Sequence, residues 1–338
     1  YDPHECYTGR SPLEAASIGL DLKDTDVTAR ANLVTVSNEE DYQDKTMIDY
    51  SAGEISTAEA KELIEFLAEK INSDKYSLHA GISYRHCLVM VNGVVAGDLT
   101  PPHDITGKPI KEHLPTTDAG KRLIEIQKLS HELLKNHPVN LKRIAQGKNP
   151  ANSLWFWGEG TKPALENFEK RFGLKGAIIS AVDLLKGIGK LAGMRVIEVE
   201  GATGNYDTNF IGKAKACVDA LKDGLDFVYV HMEAPDECGH HGDVKNKIFS
   251  IGEIDNKVVK YVVEELEKTG EDYSILIAPD HPTPISIKTH CSDPVPYLIY
   301  RKGKNLGNGA NAYDEENAEN TGLFVENGVE LMKKFLNG

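Results

Sequence analysis

The sequence predicts an α/β protein: a mostly parallel sheet with helices on both faces, interrupted by a smaller α+β domain. Three observations predict it. The 338 residues exceed what one ordinary hydrophobic core serves, so two domains are the default. The second half alternates short β-branched runs with helical patterns. The stretch from about residue 22 to 149 follows a different pattern, with a hairpin signal among helices.

In the second half the predicted strands are Gly176–Val182, Met194–Val199, Phe227–Val230, Ser274–Ala278 and Pro296–Tyr300. Helical patterns cover Ala164–Phe172, Asp183–Ala192, Phe210–Leu221 and Ile248–Leu266, with a last one over Thr321–Phe335. Crossover helices between successive strands favour parallel pairing.

Within residues 22–149, Ser56-Thr57-Ala58-Glu59 is a capping box that opens a helix running to about Ile71. Asn92-Gly93 between His86–Val91 and Val94–Leu99 predicts a two-residue hairpin. A long helix is expected over about Asp118–Asn136, ending before Pro138. Gln146–Asn152 is rich in turn formers and reads as a linker. The expected division is one discontinuous domain of residues 1–21 and 150–338, with 22–149 as the insertion.

Lys and Arg number 38 against 52 Asp and Glu, a net charge of -14. That balance argues against a nucleic-acid or anionic-membrane surface. It still allows a phosphorylated metabolite, because bound cations or a few arginines reverse the field locally. Five irregularly placed cysteines form no disulfide framework and fit a reducing, cytoplasmic setting. No apolar run approaches the length of a membrane span.

The chemistry concentrates in two short stretches and a later histidine. The first is Asp236-Glu237-Cys238-Gly239-His240, the second Asp280-His281, and His290 follows in Thr289-His290-Cys291. Carboxylate and imidazole suit Zn²⁺ or Mn²⁺, with Co²⁺ also accepted. Asp236 follows one predicted strand and Asp280 another, and ligands in open α/β sheets bind beyond such strand ends. Pro235 and Gly239 oppose regular helix, so Asp236 is expected in a loop. Singly, each residue could be a solvated loop side chain; jointly they read as a two-metal phosphoryl-transfer site. His241 points elsewhere than His240, and Cys238 and Cys291 read as packing.

Beyond these, Tyr7–Ala16 (YTGRSPLEAA), Asp49–Gly53 (DYSAG), Tyr84–Cys87 (YRHC) and Pro102-His103-Asp104 stand out. So do Trp155–Gly160 (WFWGEG) and Gly201–Asn209 (GATGNYDTN). With the Asp-His motifs, these segments resemble the cofactor-independent phosphoglycerate mutases of archaeal type, in the alkaline phosphatase superfamily. The likeness spans nearly the whole chain. It implies an alkaline-phosphatase-like sheet and two divalent ions. Asp236, His240 and His290 would hold one, and Asp280 and His281 would help hold the other. It implies neither 2,3-bisphosphoglycerate nor a nucleotide as cofactor. The family's nucleophilic Ser and first metal-binding Asp precede a segment like Tyr1-Asp2-Pro3, so both are expected before Tyr1.

A phosphorylated hydroxy acid needs cations, and Arg offers the best fork for carboxylate and phosphate. Arg85, on the run into the predicted hairpin, is the first candidate and Arg30 the second. His103 and Asp104, in a Pro-rich turn, either bind substrate hydroxyls or cap the turn. Lys186 either reaches the phosphoryl group from the metal-bearing domain or lies on a helix surface. Arg85-His86 also resembles the Arg-His-Gly of cofactor-dependent mutases, but Cys87 replaces the Gly. Trp155 and Trp157 read as core or domain-interface packing rather than a base-stacking surface.

The expected reaction interconverts 3-phosphoglycerate and 2-phosphoglycerate through a phosphoserine. The alternative is a metal-dependent phosphohydrolase or a homoserine-kinase-like phosphotransferase of the same superfamily. No P-loop is visible, and Gly187-Ile188-Gly189 is too short to serve as one.

Overall fold

A computed structural model describes all residues except 305–306, 308–309 and 338. The chain runs α1 (Pro3–Cys6), α2 (Arg10–Ser17), β1 (Val27–Val36), β2 (Met47–Asp49), α3 (Thr57–Ile71), β3 (Tyr76–His79), β4 (Arg85–Met90), α4 (Asp118–Leu134), α5 (Pro138–Ala145) and β5 (Ser153–Thr161). It continues through α6 (Phe168–Phe172), β6 (Gly176–Ile179), α7 (Asp183–Leu191), β7 (Arg195–Val196), α8 (Phe210–Lys222), β8 (Phe227–Val230) and α9 (Ala234–His241). Last come α10 (Val244–Glu253), α11 (Lys260–Glu267), β9 (Ser274–Ile277), β10 (Leu298–Arg301), α12 (Glu315–Asn320) and α13 (Gly328–Asn337). A π-helical stretch, Ile254–Val259, joins α10 to α11.

Two compact units emerge. The first comprises Tyr1–Asp2, Glu166–Val182 and Ala192–Gly338; the second comprises Pro3–Leu165 and Asp183–Leu191. These boundaries differ from the expected ones, and packing gives the reason. α2 lies against α7, β1 and β5, so residues 10–17 and 183–191 go with the sheet of the second unit. Gly187 makes that packing possible: a Cβ there would sit 1.8 Å from the Leu13 carbonyl oxygen. β5 likewise belongs to this sheet, and Gln146–Asn152 is not a linker between domains. Asn152 instead exchanges side-chain hydrogen bonds with the Val36 N–H and carbonyl, both 2.8 Å, and leads straight into β5.

The second unit is an antiparallel five-stranded sheet with β1 at its centre, flanked by β4 and β5, with β2 on β1 and β3 on β4. All ten residues of β1 are buried. Its alternation is decisive: Val27, Ala29, Ala31 and Leu33 join a core with Leu63 and Leu67 of α3. Thr28, Arg30 and Asn32 must then point to the opposite face. The capping box forms as expected, with Ser56 Oγ accepting from the Glu59 N–H at 3.3 Å and α3 ending at Ile71. The expected hairpin does not form. Both edges of β4 are taken by β1 and β3, so no strand returns after Asn92-Gly93, and Val94 and Val95 are exposed.

The first unit has a parallel three-stranded sheet, β7-β6-β8, and an antiparallel pair, β10-β9. β8 covers the predicted residues, and α8 exceeds its prediction by Lys222. β8 leads to α9, and β9 leads to the loop that carries Asp280 and His281.

Candidate functional site

Asp236 and His240 lie on α9, not in a loop as the sequence suggested. Pro235 occupies the first turn, where a missing N–H costs nothing, so it starts the helix rather than opposing it. Asp-x-x-x-His thereby becomes an i,i+4 pair on one helical face. Gly239 has a separate purpose: a Cβ there would lie 2.5 Å from the Thr283 carbonyl oxygen. Only glycine lets α9 approach the loop after β9 so closely. Lys247 ties the two together, its Nζ donating to the Pro235 and Thr283 carbonyls at 2.9 and 3.0 Å.

Asp236, His240 and His290 each offer one ligand atom, all within 4.8 Å of one another. His240 Nε2 is 3.3 Å from Asp236 Oδ2, His290 Nε2 is 3.4 Å from Asp236 Oδ1, and the two Nε2 atoms are 2.9 Å apart. Ligand atoms about 2.0–2.1 Å from a tetrahedral Zn²⁺ stand about 3.3–3.4 Å apart; the two imidazoles meet separate oxygens of Asp236 at that spacing, while their own Nε2 atoms stand closer together. The neighbours fit as well. His240 Nδ1 faces the Lys288 carbonyl at 3.1 Å, which puts the ring proton there and leaves a lone pair on Nε2. Thr283 Oγ1 donates to Asp236 Oδ1.

Asp280 and His281 follow β9. His281 Nε2 is 3.3 Å from Asp280 Oδ2, and its ring stacks on that of His290 with centroids 3.7 Å apart. The two Asp-His motifs are therefore neighbours, although Asp280 and His281 supply only two of the ligands a second ion needs. His241 turns back onto its own helix, its Nδ1 2.9 Å from the Glu237 carbonyl oxygen. Cys238 is buried, and Cys291 Sγ donates to Asp293 Oδ2 at 3.2 Å.

His231 was not singled out by sequence. It stands at the end of β8, with Nδ1 3.2 Å from Ser180 Oγ at the end of β6. Burial, reinforced by the Lys213 ammonium, holds its pKa below the ordinary value, while Asp280 and Asp236 pull it back. Tyr229 is pushed up by burial and by Asp280. These residues feel the carboxylates of the Asp-His motifs, and the only sequence signal for His231 was its place just after an apolar strand.

In the second unit, Arg30 is 5% exposed and sits in an ion pair, Nε to Glu14 Oε2 at 2.8 Å. Its guanidinium lies 4.5 Å over the Trp157 ring. Burial lowers its pKa, Glu14 raises it, and Arg10 and Arg85 lower it again. Arg10 Nε also binds Glu14, at 2.8 Å, so two arginines share one carboxylate, with Arg85 close enough for Arg30 to feel its charge. Arg85, at the start of β4, lies 5.7 Å over the Tyr84 ring. His103 is held edge-on by Trp157 and Tyr50 at 5.1 and 6.1 Å, and its Nε2 is 3.6 Å from Asp104 Oδ1. Arg30, Arg85 and His103 thus share one neighbourhood with Tyr50, Tyr84 and Trp157, which the sequence did not connect to them. Lys186 lies on α7 in this unit, not on the metal-bearing one as expected.

The family profile for 2,3-bisphosphoglycerate-independent phosphoglycerate mutase matches residues 1–140, and that of the Metalloenzyme superfamily matches residues 105–335. The chain is 48% identical over 336 residues to a probable 2,3-bisphosphoglycerate-independent phosphoglycerate mutase of Geobacter sulfurreducens, covering 99% of this chain and 83% of that protein. It is 47% identical to the 2,3-bisphosphoglycerate-independent phosphoglycerate mutase of Methanosarcina barkeri, covering 98% and 82%. The chain belongs to this mutase family. A solved cofactor-independent phosphoglycerate mutase from Thermoplasma acidophilum has the same fold, with a TM-score of 0.64 and 27% identity, covering 100% of this chain and 84% of that one.

Membership in the cofactor-independent family agrees with the local structure at Arg85-His86. His86 is buried, its Nδ1 accepts from the Gly81 N–H at 3.1 Å, and burial pushes its pKa down to about 3. It is not placed to become a phosphohistidine. Trp155 is core, with Nε1 donating to the Thr100 carbonyl at 2.8 Å.

Proposed function

We propose that this mutase chain binds two divalent ions in its first unit and the phosphoglycerate anion on the Arg30 face of its second. The reaction is the interconversion of 3-phosphoglycerate and 2-phosphoglycerate. The observation that carries the residue assignment is the convergence of Asp236, His240 and His290. Asp236, His240 and His290 would hold one ion, and Asp280 and His281 would contribute to the other; bound there, such ions would supply charge neutralisation at a phosphoryl group and a lowered pKa for an acceptor hydroxyl. Mn²⁺, Zn²⁺ and Co²⁺ all suit this donor set.

The chain's own residues do the remaining work. The carbonyl of Lys288 keeps the proton of His240 on Nδ1, and Thr283 fixes the Asp236 carboxylate. Arg30 and Arg85 hold substrate carboxylate or phosphate; their excess over Glu14 favours an added anion. His103 and Asp104 bind the glycerate hydroxyls. The reaction belongs to the cytoplasm in this reading; among the described residues no helix is long and apolar enough to cross a membrane.

The relatives' names do not favour the phosphohydrolase or homoserine-kinase-like alternative. One assay separates the readings: 3-phosphoglycerate and Mn²⁺ supplied to the full-length protein without 2,3-bisphosphoglycerate. 2-Phosphoglycerate is the expected product. Free phosphate alone would mean a hydrolase, and inertness with metal bound would sink both.

A further inference from the structure

We infer that Arg143, far from any candidate ligand in sequence, is a positioning residue that sets the Arg30–His103 face through the turn Asp49–Glu54. The inference rests on the reading of that face as the anion site. Arg143 is 2% exposed, and its guanidinium is fully committed. Nη2 donates to the Ala52 carbonyl at 2.6 Å, Nη1 to Glu59 Oε2 at 2.8 Å, and Nε to the Asn149 carbonyl at 2.9 Å. It joins the turn to the first residues of α3 and to the loop before β5.

The turn it grips is one the chain would not adopt unaided. Ala52, Gly53 and Glu54 have φ of 51°, 67° and 50°, three consecutive residues in the left-handed region. For the two non-glycine residues this conformation is costly and persists only where surrounding contacts over-determine it. Asp49 provides the other half of the clamp. Its Oδ1 accepts from the Ser51 N–H and hydroxyl, both at 2.8 Å, and its Oδ2 from the Gly53 N–H at 2.7 Å and Asn149 Nδ2 at 2.8 Å. Burial alone would raise the Asp49 pKa; these hydrogen bonds outweigh it and hold the carboxylate ionised.

What the clamp holds in place is Tyr50. Its carbonyl accepts from Asn32 Nδ2 at 3.1 Å, and Asn32 Oδ1 accepts from Trp157 Nε1 at 3.0 Å. Trp157 carries the Arg30 guanidinium on its ring and His103 at its edge. The Tyr50 ring meets His103 and Tyr84, and Tyr84 lies under Arg85. A continuous series of contacts therefore runs from Arg143 through the turn to Arg30, Arg85 and His103, three of the candidate substrate-binding side chains. Guanidinium recognition of a carboxylate depends on orientation, so a sub-ångström loosening of the turn is felt as lost affinity.

The test is calorimetric titration of 3-phosphoglycerate into the chain, alongside Mn²⁺ titration as a readout of the metal group. Arg143→Lys, which keeps the charge and loses the fork, is expected to weaken 3-phosphoglycerate at least about tenfold and leave Mn²⁺ affinity unchanged. Asn149→Ala, at the exposed rim of the clamp, covers the case in which Arg143→Lys misfolds, and should act in the same direction by about threefold. Asn32→Ala should weaken binding too, and the Arg143→Lys/Asn32→Ala double variant should be little worse than either single one. If Arg30→Lys loses binding while Arg143→Lys and Asn149→Ala bind as well as the parent, or if the double variant is additive, the positioning inference falls alone. If Arg30→Lys binds normally, or the parent chain does not bind 3-phosphoglycerate, the anion-site reading falls and takes this inference with it.

Discussion

In the unit built on β1, Arg30, Arg143 and His86 are sealed inside packed structure; in the unit that carries Asp236 and Asp280, the side chains of the Asp-His motifs are left partly wet. Arg30, Arg143 and His86 are all at most 5% exposed, and every residue of β1 is buried. By contrast, no residue of β8 or β9 is fully buried, and the His240 and His290 side chains are 33% and 50% exposed. Packing and buried polar contacts therefore fix geometry in the second unit. In the first unit the ligands are held by one another, by Thr283 and by the Lys288 carbonyl, an arrangement that an ion would complete. The contrast teaches that one chain can pre-form its proposed anion-binding face and leave its proposed metal group to be finished by binding.

The largest effect should come from breaking the wet cluster. Asp236→Ala removes the carboxylate that both histidines face, and should lower mutase turnover of the full-length protein about a thousandfold, roughly 4 kcal/mol of transition-state stabilisation. Steady-state kinetics with saturating Mn²⁺ would show it; near-normal turnover would remove Asp236 from the site. Next in size is metal removal itself. An ion at about 100 times its Kd adds about 2.7 kcal/mol of stability to the state that binds it. Chelation should therefore speed hydrogen exchange in α9 and the loop after β9, and leave β1 and α3 unchanged. Uniform loss of protection in both units would break the comparison.

The sequence made one half of this contrast easier to see than the other. Alternation and cross-over helices matched β8, β9 and α8 nearly residue for residue, because those signals are local, while β6 stops three residues short of its expected end. The Asp-His motifs were legible because carboxylate and imidazole together in two strand-end motifs rarely coincide by chance. Three features were not. Pro235 read as a helix breaker, since whether a proline starts or stops a helix depends on where the first turn falls. Asn92-Gly93 signalled a hairpin, but β4 already had a partner on each edge, one of them β1, more than fifty residues away. The clamp of Arg143 on Ala52 crosses 91 residues, and no periodicity encodes such a contact.

A smaller, more discriminating test strikes the outer contacts of the metal group. Thr283→Val keeps shape and removes the hydroxyl that fixes Asp236 and lies 3.4 Å from His281 Nδ1. Metal affinity should drop about 10–100-fold with the fold intact, the usual cost of losing such a partner. Calorimetry with Mn²⁺ would measure it, and an unchanged affinity would mean that the ligands need no such support.

The smallest effect concerns the dry side. Burial pushes the pKa of His86 in the folded chain down to about 3, from an ordinary value of about 6.5. Protons therefore bind the unfolded chain first as pH falls. The stability this histidine contributes is full above about pH 6.5 and is lost progressively down to about pH 3. Between pH 7 and 5.5 the loss is about 1 kcal/mol. His86→Leu removes the titration, though it also leaves the Gly81 N–H without its acceptor, so its absolute stability is a poor guide. The slope is the readout: urea unfolding from pH 7 to 5.5 should show the parent losing about 1 kcal/mol more than the variant. Parallel curves would mean that His86 can be protonated in place. The second unit would then be wetter than its packing implies, and the contrast with the metal group would shrink.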